Sequence, residues 1–119
     1  MAMAGILGVI AVLTIAVASL GILYSARVKA QAAADAGALA AAVATYPPVG
    51  QGAPSAAARS VVADNRSRLV SCRCDIDGSL AVRTVEVAAA VDVSVPIFGM
   101  VEVFARSRAE FDPMRWLGW

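Results

Sequence analysis

The chain has 119 residues, enough for one domain, and 60% of them are hydrophobic while only 16% are charged, which excludes an ordinary small soluble domain. Ten Lys and Arg against nine Asp and Glu leave a formal charge of +1, so no basic field draws in nucleic acid and no acidic field solvates a disordered tail. Histidine is absent and Lys29 is the single lysine, so the serines have no activating partner, and no catalytic, cofactor-binding or metal-ligating constellation is expected.

Met1 to Ala26 carries no charge. Twenty-six helical residues span about 39 Å, more than the roughly 30 Å of bilayer hydrocarbon, so the segment predicts a membrane-crossing helix. A cleaved secretory signal fits poorly. No Lys or Arg stands near Met1, the apolar run is too long, and the best cleavage triplet, Tyr24-Ser25-Ala26, begins with a bulky ring. Arg27 and Lys29 follow the span, and positive-inside counting would put that end in the cytoplasm. Either a short basic leader has been removed ahead of residue 1, leaving the rest of the chain free to lie outside, or Met1 is the initiator and the bias is overridden.

No proline interrupts residues 1–46, and Arg27 to Thr45 is almost entirely helix-forming, so one continuous helix is expected to run well past the membrane and to stop at Tyr46-Pro47-Pro48. Within it Ala4, Ala11, Ala18, Ser25 and Ala32 recur every seven residues, with Gly8 four after Ala4. Small side chains so spaced let helix backbones approach closely in lipid, although alanine is common enough here for composition alone to produce such a series. Arg27, Gln31 and Asp35 make one polar stripe on an otherwise Ala-rich cylinder. That cylinder must bury most of its circumference, on its own domain or on copies of itself.

Residues 47–54, Pro-Pro-Val-Gly-Gln-Gly-Ala-Pro, read as a linker. A short helix is expected next, as far as Leu69, with Ala58, Val61 and Val62 inward and Arg59, Asp64, Arg66 and Arg68 outward. The period then falls to two. Leu69–Ile76 places Val70, Cys72, Cys74 and Ile76 on a dry face, Asp77-Gly78 supplies a hairpin turn, and Val85, Val87, Ala89, Val91, Val93 and Val95 alternate with Thr84, Glu86, Asp92 and Ser94. After Pro96 and Gly99 a third strand sets Val101, Val103, Ala105, Ala109 and Phe111 against Glu102, Arg106, Arg108 and Glu110. Three antiparallel strands with one buried face are predicted, and the protruding half of the long helix is the natural cover.

Cys72 and Cys74, two apart in a strand, would stand about 6.5–7 Å from each other, at the outer edge of disulfide reach, so both buried thiols and a bridge stay open. Two cysteines without histidine cannot complete a zinc site. Asp75-x-Asp77-Gly78 lacks the remaining ligands of a calcium loop and reads as a turn. Trp116 and Trp119 close the chain, suited to a membrane interface, to capping the sheet core, or to contact with a neighbouring subunit.

An apolar N-terminal helix, an Ala-rich continuation and a small antiparallel sheet together resemble a type IV pilin-like subunit. The stretch Ala26-Arg27-Val28-Lys29-Ala30-Gln31-Ala32-Ala33-Ala34-Asp35-Ala36-Gly37-Ala38-Leu39-Ala40-Ala41-Ala42, with Gln31, Asp35 and Leu39 as its marked positions, is similar to the segment after the membrane span in TadE/TadG-like proteins of Tad (Flp) pilus systems, the short actinobacterial ones in particular. Ala63-Asp64-Asn65 and Leu69-Val70-Ser71-Cys72 extend the likeness. The resemblance implies a prepilin with a basic leader removed by a prepilin peptidase, held in the membrane as a single-pass protein, and packed helix to helix with other pilin subunits by the Tad assembly machinery into an extracellular pilus. Two positions depart from the family pattern. Gly5 stands where many type IV pilins have Glu, and Ala56, Ala57 and Ala58 stand where many short relatives have a helix cysteine, which leaves Cys74 to substitute or no bridge at all.

The expected architecture is therefore α+β: a long N-terminal helix over 1–46, a linker over 47–54, and a small domain over 55–119 in which a short helix and a three-stranded antiparallel sheet pack on the protruding half of the long helix. The implied function is that of a structural, non-enzymatic pilin. The alternative is a single-pass membrane accessory of pilus assembly or secretion that never enters the filament in bulk.

Overall fold

The structure, a computed structural model, describes residues 2–47, 52–116 and 118, with Trp116 described in its backbone alone. Helix α1 (Ala2–Ala44) is unbroken, and its 43 residues account for most of the 74 Å length of the molecule. It ends where Thr45 Oγ1 donates to the Ala42 carbonyl (2.6 Å) and Pro47 forbids another turn. Helix α2 (Pro54–Asp64) follows, then strands β1 (Arg68–Arg73), β2 (Arg83–Val95) and β3 (Gly99–Phe111), and a single turn of helix, α3 (Pro113–Trp116). The sheet is antiparallel in the order β1-β2-β3. Strands β2 and β3 pair without a break from Arg83 opposite Phe111 to Val95 opposite Gly99.

The inner face of this sheet carries Val85, Val87, Ala89, Val91, Ala105, Ala109 and Phe111, and α1 lies across it with α2 alongside. What α1 gives to this core is nearly all alanine: Ala26, Ala30, Ala33, Ala34, Ala38, Ala41 and Ala42. Short side chains bring the helix axis close to the sheet, so the core is thin and most of its volume comes from Val62, the β2 valines, Tyr46 and Phe111. The tightest approach is at Gly37, where a Cβ would stand 2.8 Å from Val62 Cγ2 and 3.3 Å from Val87 Cγ1. Here α1, α2 and β2 meet, and no side chain fits between them.

Three local features differ from the sequence expectation. Helix α2 begins at Pro54, inside the expected linker, and ends at Asp64 rather than Leu69. Asn65 donates to the Val61 carbonyl through its backbone and its side chain, and Arg66 takes φ +57° so that Ser67 N–H can reach Val62 O (3.1 Å). Arg68 consequently opens β1 instead of facing outward from a helix. Within β1 the pairing jumps from Leu69–Ala89 to Ser71–Ala88, leaving Val70 as a bulge. The bulge shifts the side-chain phase, so Leu69 and Cys72 both reach the core while Val70, expected on the dry face, is exposed; Ile76, expected there too, is exposed in the connection beyond the end of β1. Strand pairing stops at Arg73, which frees Cys74 from the extended repeat. Its Cα lies 5.5 Å from that of Cys72, closer than two same-face strand residues, and the two sulfurs form a disulfide.

Asp77-Gly78 is not a two-residue hairpin, because nine residues, 74–82, connect β1 to β2. Arg83 ties this connection down. Its guanidinium donates to the carbonyls of Asp77, Ser79 (2.6 Å) and Ala81 (2.7 Å) and lies 5.8 Å from the Tyr46 ring centroid, while Tyr46 in turn packs on Phe111. Asp77 N–H donates to Thr45 O (2.8 Å), closing the loop over the end of α1. The Ser79 amide, at 2.8 Å from Asp77 Oδ1, holds the Asp77 carboxyl below its ordinary value of 3.8, helped by the Ser79 hydroxyl and by Arg83.

Two measurements follow from this packing. In the full chain held in detergent micelles, Gly37→Ala lowers stability by about 1 kcal/mol, since overpacking of about 1–3 kcal/mol outweighs about 1 kcal/mol of helix propensity. Gly21→Ala, with nothing within 4 Å of its Cβ, does not lower it; equal thermal midpoints for the two variants would contradict this account of Gly37. For Asp77 the folded-state pKa is the lower one, so its contribution is complete above the ordinary value of 3.8 and is lost as pH falls through the folded value. Protection of the Ser79 amide from hydrogen exchange, corrected for intrinsic rates, should fall only below that pH. Protection that persists through the acid range would show that the Asp77 contact does not order the loop.

Candidate packing surface along the long helix

The circumference of α1 divides into two unlike parts. One stripe, at helical spacing from Ser19 through Ala26, Ala30, Ala33, Gly37 and Ala41 to Ala44, is buried. Ala34, Ala38 and Ala42 widen it in the upper half; the rest of the helix is open or half-open, and from Ala2 to Ala18 every position is exposed. This first half is apolar on all sides and is long enough, with the rest of α1, to cross a membrane. The depressions on it, such as those lined by Ile10, Leu13, Thr14 and Val17 or by Gly5, Gly8 and Val12, are shallow helical grooves.

None of the five members of the seven-residue series, nor Gly8 beside Ala4, is covered by the chain's own domain. Ala4, Gly8, Ala11, Ala18, Ser25 and Ala32 are all exposed, and a Cβ added at Gly8 would meet nothing within 4 Å. A seven-residue step turns the direction by about 20° on a straight helix, so the series drifts by about 100° from Ala4 to Leu39 and comes to stand opposite the buried stripe only toward Ser25, Ala32 and Leu39, while Gly8, five whole turns before Ala26, points along the buried stripe. None of its members packs in the protein's own core. The series continues, one step beyond Ala32, at Leu39, which is 64% exposed, and Val28 and Val43 flank it at 52% and 36%. Sequence reading missed this outer apolar stripe. Its signal was available as the two valines and one leucine in a run otherwise made of alanine and polar residues.

Gln31 and Asp35 behave differently from a free polar stripe. Gln31 Nε2 donates to Asp35 Oδ1 (2.9 Å) and to the Arg106 carbonyl of β3 (3.0 Å), so it pins the edge strand to the helix. Of the three marked positions in that stretch, Gln31 and Asp35 therefore meet and Leu39 stands apart, facing outward. Gly37, between them, is the member with the closest contacts, and a glycine in the middle of a helix-forming run was the clue to it. Trp116 ends α3, where Asp112 Oδ1 accepts from Met114 N–H (3.1 Å). Its side chain, and Trp119 altogether, lie outside the described residues.

The outer face of the sheet is charged. Arg68 pairs with both Asp92 and Glu102 across three strands, and Glu86 lies between Arg108 (3.1 Å) and Arg106 (3.9 Å). Such exposed pairs contribute little to stability but keep this face in water. Among the described residues no three His, Cys, Asp or Glu side chains gather where they could share a metal ion. No known protein family, curated protein or solved structure matches the chain.

Proposed function

We propose that this chain is a membrane-held structural subunit that polymerises through α1, a pilin-like building block of a Tad-type surface pilus. One observation carries the reading. The long helix is apolar over its first half and alanine-rich over its second, yet its own domain covers only one stripe of it, and the flank opposite that stripe presents Ser25, Val28, Ala32, Leu39 and Val43 uncovered. In the bilayer, lipid covers the first half of that flank. Outside it, Val28, Ala32, Leu39 and Val43 would stand in water, a cost that contact with the same helix of another subunit removes. Helix-to-helix packing also suits a subunit whose other exposed face is charged. The sequence likeness of residues 26–42 to TadE/TadG-like proteins supports the same assignment.

The test is assembly separated from insertion. In cells making the full chain, Ala11→Trp and Ala18→Trp should reach the membrane in normal amounts and yield few or no filaments, because an indole at either position holds helices apart. Leu39→Arg, placed beyond the span, should reduce filaments without touching insertion. Normal filaments from all three variants would rule out this flank as the polymer contact and would favour a membrane accessory protein that stays out of the filament.

A further inference from the structure

The β2–β3 hairpin reaches much farther down the molecule than the rest of the domain. Gln31 touches Arg106, and Tyr46 touches Phe111, so β3 runs alongside α1 in the same direction and the turn between β2 and β3 points back toward the N-terminus. From Arg106 to Gly99 the strand descends about 23 Å, and about 18 Å of helix separates Gln31 from Ser19, so the hairpin end lies at or below the height of Ser19. Burial agrees. Ser19, 7% exposed, is the first buried residue of α1, Ile22 and Leu23 continue the stripe half-buried, and inward-facing Val95 at the end of β2 is 2% exposed.

The end of this hairpin has no charge and no partner. Residues 93–101 read Val-Ser-Val-Pro-Ile-Phe-Gly-Met-Val, and Ile97, Phe98 and Met100 are 83%, 74% and 69% exposed. Phe98 N–H closes the turn on Val95 O (3.2 Å) with Pro96 at its second position and Ile97 at φ +74° at its third, where such a turn favours glycine. A branched apolar side chain thus occupies a position the backbone would assign to the smallest residue, and it faces away from the protein.

Charge returns at one height on both segments. On the hairpin the first charges are Asp92 and Glu102, paired with Arg68, about 10 Å above Val95; on α1 the first is Arg27, about 12 Å above Ser19. A bilayer needs about 20 helical residues, so even a span that starts at Ala2 reaches Gly21, above Ser19 and therefore above the hairpin end. Resting on the membrane-spanning reading of α1 given above, we infer that the β2–β3 turn is a second membrane contact: Ile97, Phe98 and Met100 enter the acyl region of the leaflet beside α1, and Arg27, Lys29 and the Arg68–Asp92–Glu102 group sit among the headgroups. Before assembly this contact sets the height and tilt of the molecule on the leaflet.

The experiment uses the full chain at high lipid excess in phosphatidylethanolamine and phosphatidylglycerol vesicles. Trp116→Phe and Trp119→Phe provide a background for one tryptophan reporter at a time: Phe98→Trp at the turn, Leu13→Trp in the span, and Phe104→Trp on the charged sheet face. The Phe98 reporter should emit to the blue and be quenched several-fold more than the Phe104 reporter by lipid brominated in the upper acyl chain, while the Phe104 reporter responds to aqueous iodide. A Phe98 reporter that behaves like Phe104 while Leu13 is lipid-quenched overturns the second contact and leaves the span standing. Loss of lipid quenching at Leu13 as well overturns both. A blue shift at Phe98 that grows with protein density, without lipid quenching, assigns the turn to a second copy of the chain and also overturns the inference.

Discussion

An alanine-rich helix cannot shield itself. Its side chains are too short to cover the backbone or to fill a core, so every turn must be packed against something that comes close, and the rest of this structure follows from how α1 meets that demand. Along one stripe the demand is met inside the chain. The β2 valines, Val62 and Phe111 supply the volume that the alanines lack, and Gly37 marks where three elements come nearest. The same absence of side chains that permits this close packing leaves the opposite flank smooth, so a second helix could approach it as closely as the sheet approaches the first stripe.

The environment of α1 changes along its length while its shape does not. Below Ser19 the helix is bare on all sides; from Ala26 upward one side is covered. The domain is not set apart from this bare half by a stalk. Gln31 and Tyr46 hold β3 parallel to α1, and the long hairpin therefore overlaps the height at which the helix is uncharged. The Arg83 clasp at the far end, joining Tyr46, Asp77 and the connection 74–82, fixes the other limit of the domain. A rod and a sheet locked at both ends move as one body, as the proposed passage from lipid into a packed array without refolding requires.

Much of this was legible in the sequence, for identifiable reasons. The long helix was visible because no proline or strand-like alternation interrupts 46 residues, and its end because Pro47 and Pro48 admit no other reading. Strands β2 and β3 were visible because an apolar residue recurs at every second position, from Val85 to Val95 and from Val101 to Ala105, with Glu86, Asp92, Glu102 and Arg106 among the residues between. Where local chemistry was weaker the reading slipped. The Val70 bulge and the left-handed Arg66 depend on pairing and capping partners distant in sequence, and the Cys72–Cys74 bridge depends on β1 stopping one residue before Cys74. Which side of α1 faces the sheet was not readable at all, since alanine on every face gives no direction, and the answer came from β2 and α2. The downward reach of the hairpin was hidden for a related reason: strand length is local, but its height against α1 is set by the Gln31 and Tyr46 contacts.

The central claim is that one helix is shared between its own domain and its copies. The most direct measurement is the composition of surface filaments sheared from cells that make this chain, read by intact mass together with the N-terminal residue and by imaging of the helix array. The account predicts this chain as a bulk component, with residues 1–45 buried laterally by neighbouring copies. Filaments that lack it, with the chain left whole in the membrane and its helix surrounded by lipid, would contradict the account.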